Sequence, residues 1–172
     1  MNPRVEAALN AQVIKEGSSS QFYLAMASWS ETKGLEGTSK FMYQHADEER
    51  FHMLKLIKFI NERGGTAIIP AIEQPPRDFE TISNVFELLL EHELSVTESI
   101  NNLVHTCLEE KDYTTHNFVQ WYVAEQLEEE ALARGILDKV RMIGEDKGGL
   151  YMFDRDLLQA VNAGPSKEPT AK

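Results

Sequence analysis

Apolar residues recur at the three- and four-residue spacing of an α-helix through four long stretches of the chain. Glycines separate these stretches, as at Gly34, Gly64 and Gly144, and no stretch alternates as a strand would. The pattern predicts four long helices and a short fifth one, over residues 3–33, 38–63, 82–110, 113–143 and 154–162. Because long helices with one apolar face pack together, we expect an all-α fold built on a four-helix bundle.

The segment between the second and third helices, residues 65–81, is long and contains three prolines. Connections of this length without secondary structure are uncommon in compact domains, so this one needs a purpose. Fully extended, the segment reaches about 55 Å, whereas a helix of about 27 residues is about 40 Å long. We therefore expect a crossover that runs along the whole bundle and makes the second and third helices parallel.

Composition and charge limit the classes of partner. The chain has 28 acidic and 17 basic residues, for a net charge of −11, which argues against a nucleic-acid partner and favours cations. A stretch of 18 apolar residues is absent, so we expect no membrane span and no membrane partner. The single cysteine, Cys107, excludes a disulfide scaffold and fits a reducing compartment. The first residues lack the apolar run of a signal peptide, so we expect a cytoplasmic protein.

We expect residues 1–162 to form one domain, since a chain of this length buries a sizeable core. The remaining residues, 163–172, are polar and contain two prolines. They are expected to be a disordered tail.

Each apolar stripe is interrupted near its middle by glutamate: Glu16, Glu49 and Glu93 on the first three helices, and Glu125 and Glu129 on the fourth. All lie about 11 to 16 residues from the start of their helix, so they are expected at one level of the bundle. A glutamate in the stripe of a single helix is readily explained as a solvated edge residue. Glutamates in the stripes of all four helices, at one level, are not. An uncompensated buried carboxylate costs several kcal/mol, so these acids must be neutralised by protons, water or metal.

The spacing Glu49-x-x-His52 puts two metal ligands on adjacent turns of one helix. Carboxylate and imidazole together suit iron, manganese or zinc. Known bundles hold two such metal ions with one glutamate from each of two helices and Glu-x-x-His from each of the other two. This chain supplies three of the four elements and has Gln126-x-x-Glu129 as the fourth. Two metals bridged by the Glu49 carboxylate can share the two electrons that O₂ takes on becoming peroxide.

With these residues the chain resembles the ferritins, in particular the bacterial non-haem ferritins, over residues 3–162. The resemblance is carried by a few specific stretches, which are Glu16 with Tyr23, residues 48–52, residues 91–93 and residues 117–130. It implies a ferritin-like domain that oxidises Fe(II) with O₂ or hydrogen peroxide. It also implies a hollow homo-oligomeric shell of roughly twenty-four subunits that stores the ferric mineral.

The resemblance further implies three iron positions, each held mainly by glutamates. The first would use Glu16, Glu49 and His52; the second Glu49, Glu93 and Glu129, with Gln126 nearby; and the third Glu48, Glu125, Glu128 and Glu129. Arg50 stands where bacterioferritins carry a haem-ligating methionine, so no haem is expected. The missing second Glu-x-x-His also separates the chain from bacterioferritins and rubrerythrins.

Three further residues lie near this constellation in the sequence. Tyr23 has two interpretations of equal weight: it hydrogen-bonds a ligand or gives up an electron, or it fills the core. Trp121 matches an aromatic residue beside the ferritin centre, but core packing is the better interpretation. His45 lies on the stripe one turn before Glu49 and is also interpreted as a core residue.

Two other classes of function stay open at this point. A di-iron oxidase that consumes peroxide without storing mineral needs the same bundle but no shell, so particle size distinguishes it from a storage protein. A metal-free helical interaction protein is excluded if a transition metal binds.

Overall fold

The computed structural model describes residues 1–164. This part of the chain contains five helices, α1 (Pro3–Thr32), α2 (Glu36–Glu62), α3 (Ile82–Glu109), α4 (Tyr113–Ile143) and α5 (Lys147–Ala163). The prediction of an all-α bundle is confirmed, and the ends of α1, α3 and α4 lie within one residue of the predicted ones. None of the helices in residues 1–164 is both long and apolar enough to cross a membrane.

The second and third helices run parallel, as the long connection predicts. Phe41 near the start of α2 lies against Phe86 near the start of α3, with 6.1 Å between ring centroids. At the opposite end, Arg63 follows α2 and pairs with Asp112, which follows α3, at 2.9 Å between Nη2 and Oδ1. Since like ends of the two helices meet at both ends of the bundle, the segment between them spans its length.

Contacts with α1 fix the crossover at its two ends. Near its start, the amide N–H of Ile68 donates to Oδ1 of the buried Asn10, at 2.7 Å. Near its end, Phe79 is buried against the Trp29 ring at 5.7 Å between centroids. The crossover therefore follows α1 along the bundle.

The apolar core is divided into two clusters with a polar layer between them. One cluster includes Tyr23, Phe86 and Leu137, and the other includes Leu9 and Ile100. Burial of one such large side chain contributes about 1.5–3 kcal/mol. The two clusters together therefore offset the cost of the polar residues buried between them.

Helix α5 begins seven residues before the predicted start at residue 154. The Asp146 side chain is the reason, because its carboxylate accepts the Gly149 amide N–H at 2.6 Å and caps the first turn. The glycine pair 148–149 therefore lies inside the helix instead of ending a loop. Ala163, expected in the disordered tail, is the last helical residue, and the rest of that expected tail, residues 165–172, lies outside the described residues.

The start of α2 is capped by a residue from α5. The buried Asp154 carboxylate accepts the amide N–H groups of Gly37, at 3.0 Å, and Thr38, at 2.8 Å. Leu35, at the N-cap position itself, has no side-chain hydrogen bond to offer. Because the cap comes from a distant helix, α2 begins at Glu36, two residues earlier than predicted.

Gly37→Ala should detach α5 from the bundle, because the added methyl group would overlap the Asp154 carbonyl oxygen. Overpacking against backbone costs about 1–3 kcal/mol or more. We expect a lower thermal unfolding temperature and faster tryptic cleavage at Arg155. Gly135→Ala is the matched control, since its methyl would meet no described atom within 4 Å in a helix interior and should be neutral or stabilising by up to about 1 kcal/mol. Equal stability and protease resistance in Gly37→Ala and the parent would contradict the docking.

Candidate metal centre

A layer of polar side chains crosses the bundle between the two apolar clusters. Glu16, Glu49, His52 and Glu93 are each at most 4 % exposed. On α4 the buried residue at this level is Gln126, not an acid. The prediction of a glutamate inside all four stripes therefore holds on three helices, and on α4 the glutamates lie at the edge of the buried face.

Three of these side chains converge on one point. Glu16, Glu49 and His52 each offer a ligand atom within 4.8 Å of the others. His52 Nδ1 lies 3.8 Å from Oε2 of Glu16 and 3.6 Å from Oε2 of Glu49. These two oxygens are buried and have no hydrogen-bond partner within residues 1–164. Because an unpaired buried carboxylate oxygen is costly, this is a point where a cation would be stabilising.

The charges of this group are strongly coupled. Burial raises the pKa of Glu49 well above its ordinary value, and the neighbouring Glu16 charge raises it further, although the facing His52 ring opposes the rise. Burial lowers the pKa of His52, but the facing carboxylates of Glu16 and Glu49 outweigh burial and raise the pKa to about 10. Protons therefore balance the charge when no metal is bound, and a metal ion would displace them.

Glu16 is held in place by a residue that the sequence analysis missed. The amide nitrogen of Gln12 donates to Oε1 of Glu16 at 2.8 Å, and Ser99 donates to the amide oxygen of Gln12 at 2.6 Å. Gln12 lies one turn before Glu16 and is buried. The sequence feature that could have identified Gln12 is its position one helical turn before a glutamate on the apolar stripe. Oε2 of Glu16 has no such partner in the described chain and is the oxygen that faces His52.

Both oxygens of Glu93 accept hydrogen bonds. The Tyr23 hydroxyl donates to Oε1, and the Gln126 amide nitrogen donates to Oε2 at 3.1 Å. Burial raises the pKa of Glu93 to about 6, although the Tyr23 bond opposes the rise. Tyr23 therefore contacts the polar layer as well as filling the core. Gln126, expected near the second iron, presents its amide nitrogen to Glu93, so its amide oxygen is the atom that could bind a metal.

A second group forms beside the first, from His45, Glu48 and Glu129, whose ligand atoms lie within 4.8 Å of one another. His45 Nε2 is 3.5 Å from Oε2 of Glu129, and Nδ1 is 3.9 Å from Oε2 of Glu48. Burial lowers the pKa of His45, but the facing Glu129 carboxylate and the charges of both acids raise it overall. His45, interpreted from the sequence as a core residue, thus also faces two acids.

The structure joins the predicted second and third sets of ligands only in part. Within residues 1–164, Glu129 groups with His45 and Glu48, not with Glu49 and Glu93. Glu125 is half-buried and Glu128 is exposed, and neither joins a three-residue ligand group in that part of the chain.

The aromatic residue Trp121 packs on the rim of the first group. Its ring meets the His52 ring edge-on, with 5.1 Å between centroids. The ammonium group of Lys55 lies 3.2 Å above the Trp121 ring. Trp121 is therefore both a packing residue, as expected, and a neighbour of the candidate ligand His52.

A four-helix bundle with buried carboxylates and a Glu-x-x-His turn defines a class of helical proteins that hold metal between their helices. Comparison with known proteins narrows this class. The sequence model of the ferritin-like domain matches residues 6–143. The chain therefore belongs to the ferritin family.

Individual relatives agree with this assignment. The chain is 46 % identical to a probable bacterial non-heme ferritin-like protein of Haemophilus influenzae, over 91 % of this chain and 95 % of the relative. It is 44 % identical to a bacterial non-heme ferritin of Campylobacter jejuni, over 90 % and 93 %. Among solved structures, an open pore ferritin from Archaeoglobus fulgidus matches with a TM-score of 0.90 and 43 % identity, over 92 % of this chain and 98 % of that chain. The predicted likeness to bacterial non-haem ferritins is confirmed.

Metal binding should release protons, since the pKa of His52 is raised to about 10 and the pKa of Glu49 is raised well above its ordinary value. We expect at least about one proton released per Zn²⁺ bound at pH 7. Affinity should fall between pH 7.5 and 5.5, because Glu93 with its pKa of about 6 then also takes up a proton. Calorimetric titration in two buffers of different ionisation enthalpy measures the proton count. Glu49→Gln should release fewer protons, and a count of zero in the parent would contradict the charge balance described above.

Proposed function

We propose that this protein is an iron-storage ferritin that oxidises Fe(II) with O₂ or hydrogen peroxide and keeps the ferric mineral inside an oligomeric shell. One observation carries the proposal: two buried carboxylate oxygens, on Glu16 and Glu49, lack a hydrogen-bond partner in the described chain and face the same imidazole nitrogen. Membership of the ferritin family supports iron as the cation. A reducing compartment such as the cytoplasm would supply it as Fe(II).

The proposed first iron binds at Glu16, Glu49 and His52, where the ligand atoms already converge. The proposed second iron binds between Glu49, Glu93 and Glu129, with Gln126 beside it. For this, the Glu93 carboxylate must exchange a hydrogen bond from Tyr23 or Gln126 for the metal. The first position would therefore fill before the second. A third iron would bind among Glu48, Glu125, Glu128 and Glu129, on the more exposed side of the centre.

The chemistry that this arrangement supports is a two-electron step. Two Fe(II) ions give one electron each, and O₂ takes two electrons and two protons to become hydrogen peroxide. Glu49 would touch both ions and soften their repulsion. Tyr23 and Gln126 would hold the Glu93 carboxylate in place while its metal contact forms.

A peroxide-consuming di-iron oxidase without storage remains the alternative, and assembly distinguishes the two. Several large apolar side chains are exposed in the described chain, among them Ile68, Ile69, Leu127 and Met142. Exposed apolar surface of this kind is typical of subunit contacts. These residues, together with the solved ferritin that the chain matches, support the shell.

Glu49→Ala should slow the initial oxidation of Fe(II) by orders of magnitude, because the carboxylate shared by both irons is lost. His52→Ala should slow it less, since only one iron loses a ligand. Glu49→Ala should fold and assemble, because it removes one of three acids buried at one level. His52→Ala should also assemble but be less stable, since it leaves Glu16 and Glu49 without the facing imidazole. The measurement is the rise of ferric absorbance after Fe(II) is added in air, with the exposed Glu98→Ala as control. A parental initial rate in Glu49→Ala would rule out this site.

The purified protein should elute as a closed particle of roughly twenty-four subunits, and Fe(II) added in air should stay soluble inside it. Light scattering coupled to size-exclusion chromatography measures the mass. A monodisperse monomer or dimer at micromolar concentration would contradict storage and favour the oxidase.

A further inference from the structure

Two hydrogen bonds in series connect the Glu16 carboxylate of α1 with the side of α3. The amide nitrogen of Gln12 donates to Oε1 of Glu16 at 2.8 Å, and the Ser99 hydroxyl donates to the amide oxygen of Gln12 at 2.6 Å. Gln12 and Glu16 are each 1 % exposed, whereas Ser99 is half-buried. The series therefore begins at a hydroxyl that water can reach and ends on a buried carboxylate oxygen.

The Ser99 hydroxyl fixes which way the Gln12 amide faces. An amide oxygen accepts and an amide nitrogen donates, so the bond from Ser99 to the oxygen leaves the nitrogen to face Glu16. In the reversed orientation the amide oxygen would meet a carboxylate oxygen, and neither atom of that pair could donate. Because Gln12 is buried, reversal would leave polar groups unpaired, which is costly. The amide is therefore held with its nitrogen on Glu16.

The two oxygens of Glu16 consequently differ in what they can do. Oε1 accepts the bond from Gln12, while Oε2 lacks a hydrogen-bond partner in the described part of the chain and lies 3.8 Å from Nδ1 of His52. Carboxylates bind metal ions through one oxygen or through both. Binding through both would require Oε1 to leave Gln12 and turn toward the ion. The hydrogen bond therefore favours binding through Oε2 alone.

We propose that Gln12, oriented by Ser99, is a positioning residue that holds Glu16 as a one-oxygen ligand of the first metal ion. The inference rests on the proposed function only in taking Glu16, Glu49 and His52 as the first iron position. A carboxylate that is fixed before the ion arrives loses less freedom on binding, which raises affinity. Restricting Glu16 to one oxygen also favours Zn²⁺ or Fe²⁺ over Ca²⁺, which takes about six to eight oxygen ligands.

Gln12→Leu tests the proposal, because leucine is similar in size but donates no hydrogen bond. Calorimetric titration of the assembled, metal-stripped variant should show its first Zn²⁺ bound about 10–100-fold more weakly than in the parent. The preference for Zn²⁺ over Ca²⁺ should also fall. Infrared difference spectra report the mode of binding, since the two carboxylate stretching bands lie further apart for one-oxygen than for two-oxygen binding. The bands that disappear in Glu16→Gln identify Glu16, and their separation should narrow in Gln12→Leu.

Variants of Ser99 separate positioning from packing. Ser99→Ala removes only the group that orients the Gln12 amide and should weaken the first Zn²⁺ in the same direction but less, whereas Ser99→Thr keeps the hydroxyl and should bind as the parent does. Ser95→Ala is the matched control, because Ser95 is also half-buried on α3 and also bonds to α1, accepting from Nζ of Lys15 at 2.8 Å. It should leave zinc binding unchanged. Ser99→Ala keeps the test decisive if Gln12→Leu fails to fold by circular dichroism.

Parental zinc affinity in Ser99→Ala, or parental affinity and carboxylate bands in folded Gln12→Leu, would overturn the proposal. Equal losses of affinity in Ser99→Ala and Ser95→Ala would also overturn it, because they would indicate only looser packing of α1 on α3. Parental affinity for the first Zn²⁺ in Glu16→Gln would remove the site on which the proposal acts. If the expected zinc pattern appears but the parent does not oxidise Fe(II), the proposed function fails and the positioning role stands.

Discussion

Uncompensated negative charge inside the bundle is the constraint on which the rest of the structure depends. Glu16, Glu49 and Glu93 are buried at one level, and a buried charge without a partner costs several kcal/mol, a large part of the stability of a domain. The free energy gained by burying the two apolar clusters, one on each side of this level, offsets that cost. The polar layer is stable only if protons or cations neutralise its negative charge. This requirement is what connects the fold with metal binding.

The buried carboxylate oxygens of the polar layer are of two kinds, those that accept a hydrogen bond and those that do not, and the two kinds differ in how readily they bind a cation. Oε1 of Glu16 and both oxygens of Glu93 accept hydrogen bonds from neighbouring side chains, whereas Oε2 of Glu16 and Oε2 of Glu49 lack a partner in residues 1–164. Bonds from neutral donors hold a carboxylate in position without removing its charge. The unpaired oxygens are then already placed for a cation, while Glu93 must first exchange one of its bonds. Under the proposed function, the first metal ion would therefore bind at the unpaired oxygens and the second at Glu93.

Much of this organisation was predictable because it is local. Helical spacing and glycine breaks placed four long helices, and the length of the crossover implied that the second and third run parallel. A step of about 100° per residue also puts Glu16, Glu49 and Glu93 on the buried faces of their helices. On α4 the same reasoning failed in detail, since a modest rotation about the helix axis exchanges Gln126 for Glu129 at the core. Nothing in one amphipathic stripe specifies that rotation.

Residue spacing was enough to predict the class of fold, the level of the acids and the Glu49–His52 turn, because each depends on residues that are neighbours along one helix. The contact by which Asp154 of α5 caps the start of α2, and the contact between His45 and Glu129, could be found only from the packed helices. Both contacts join residues more than eighty positions apart, and their geometry depends on how the helices cross. Spacing along the chain specifies one face of one helix, whereas ligand atoms meet only where several packed helices bring them together.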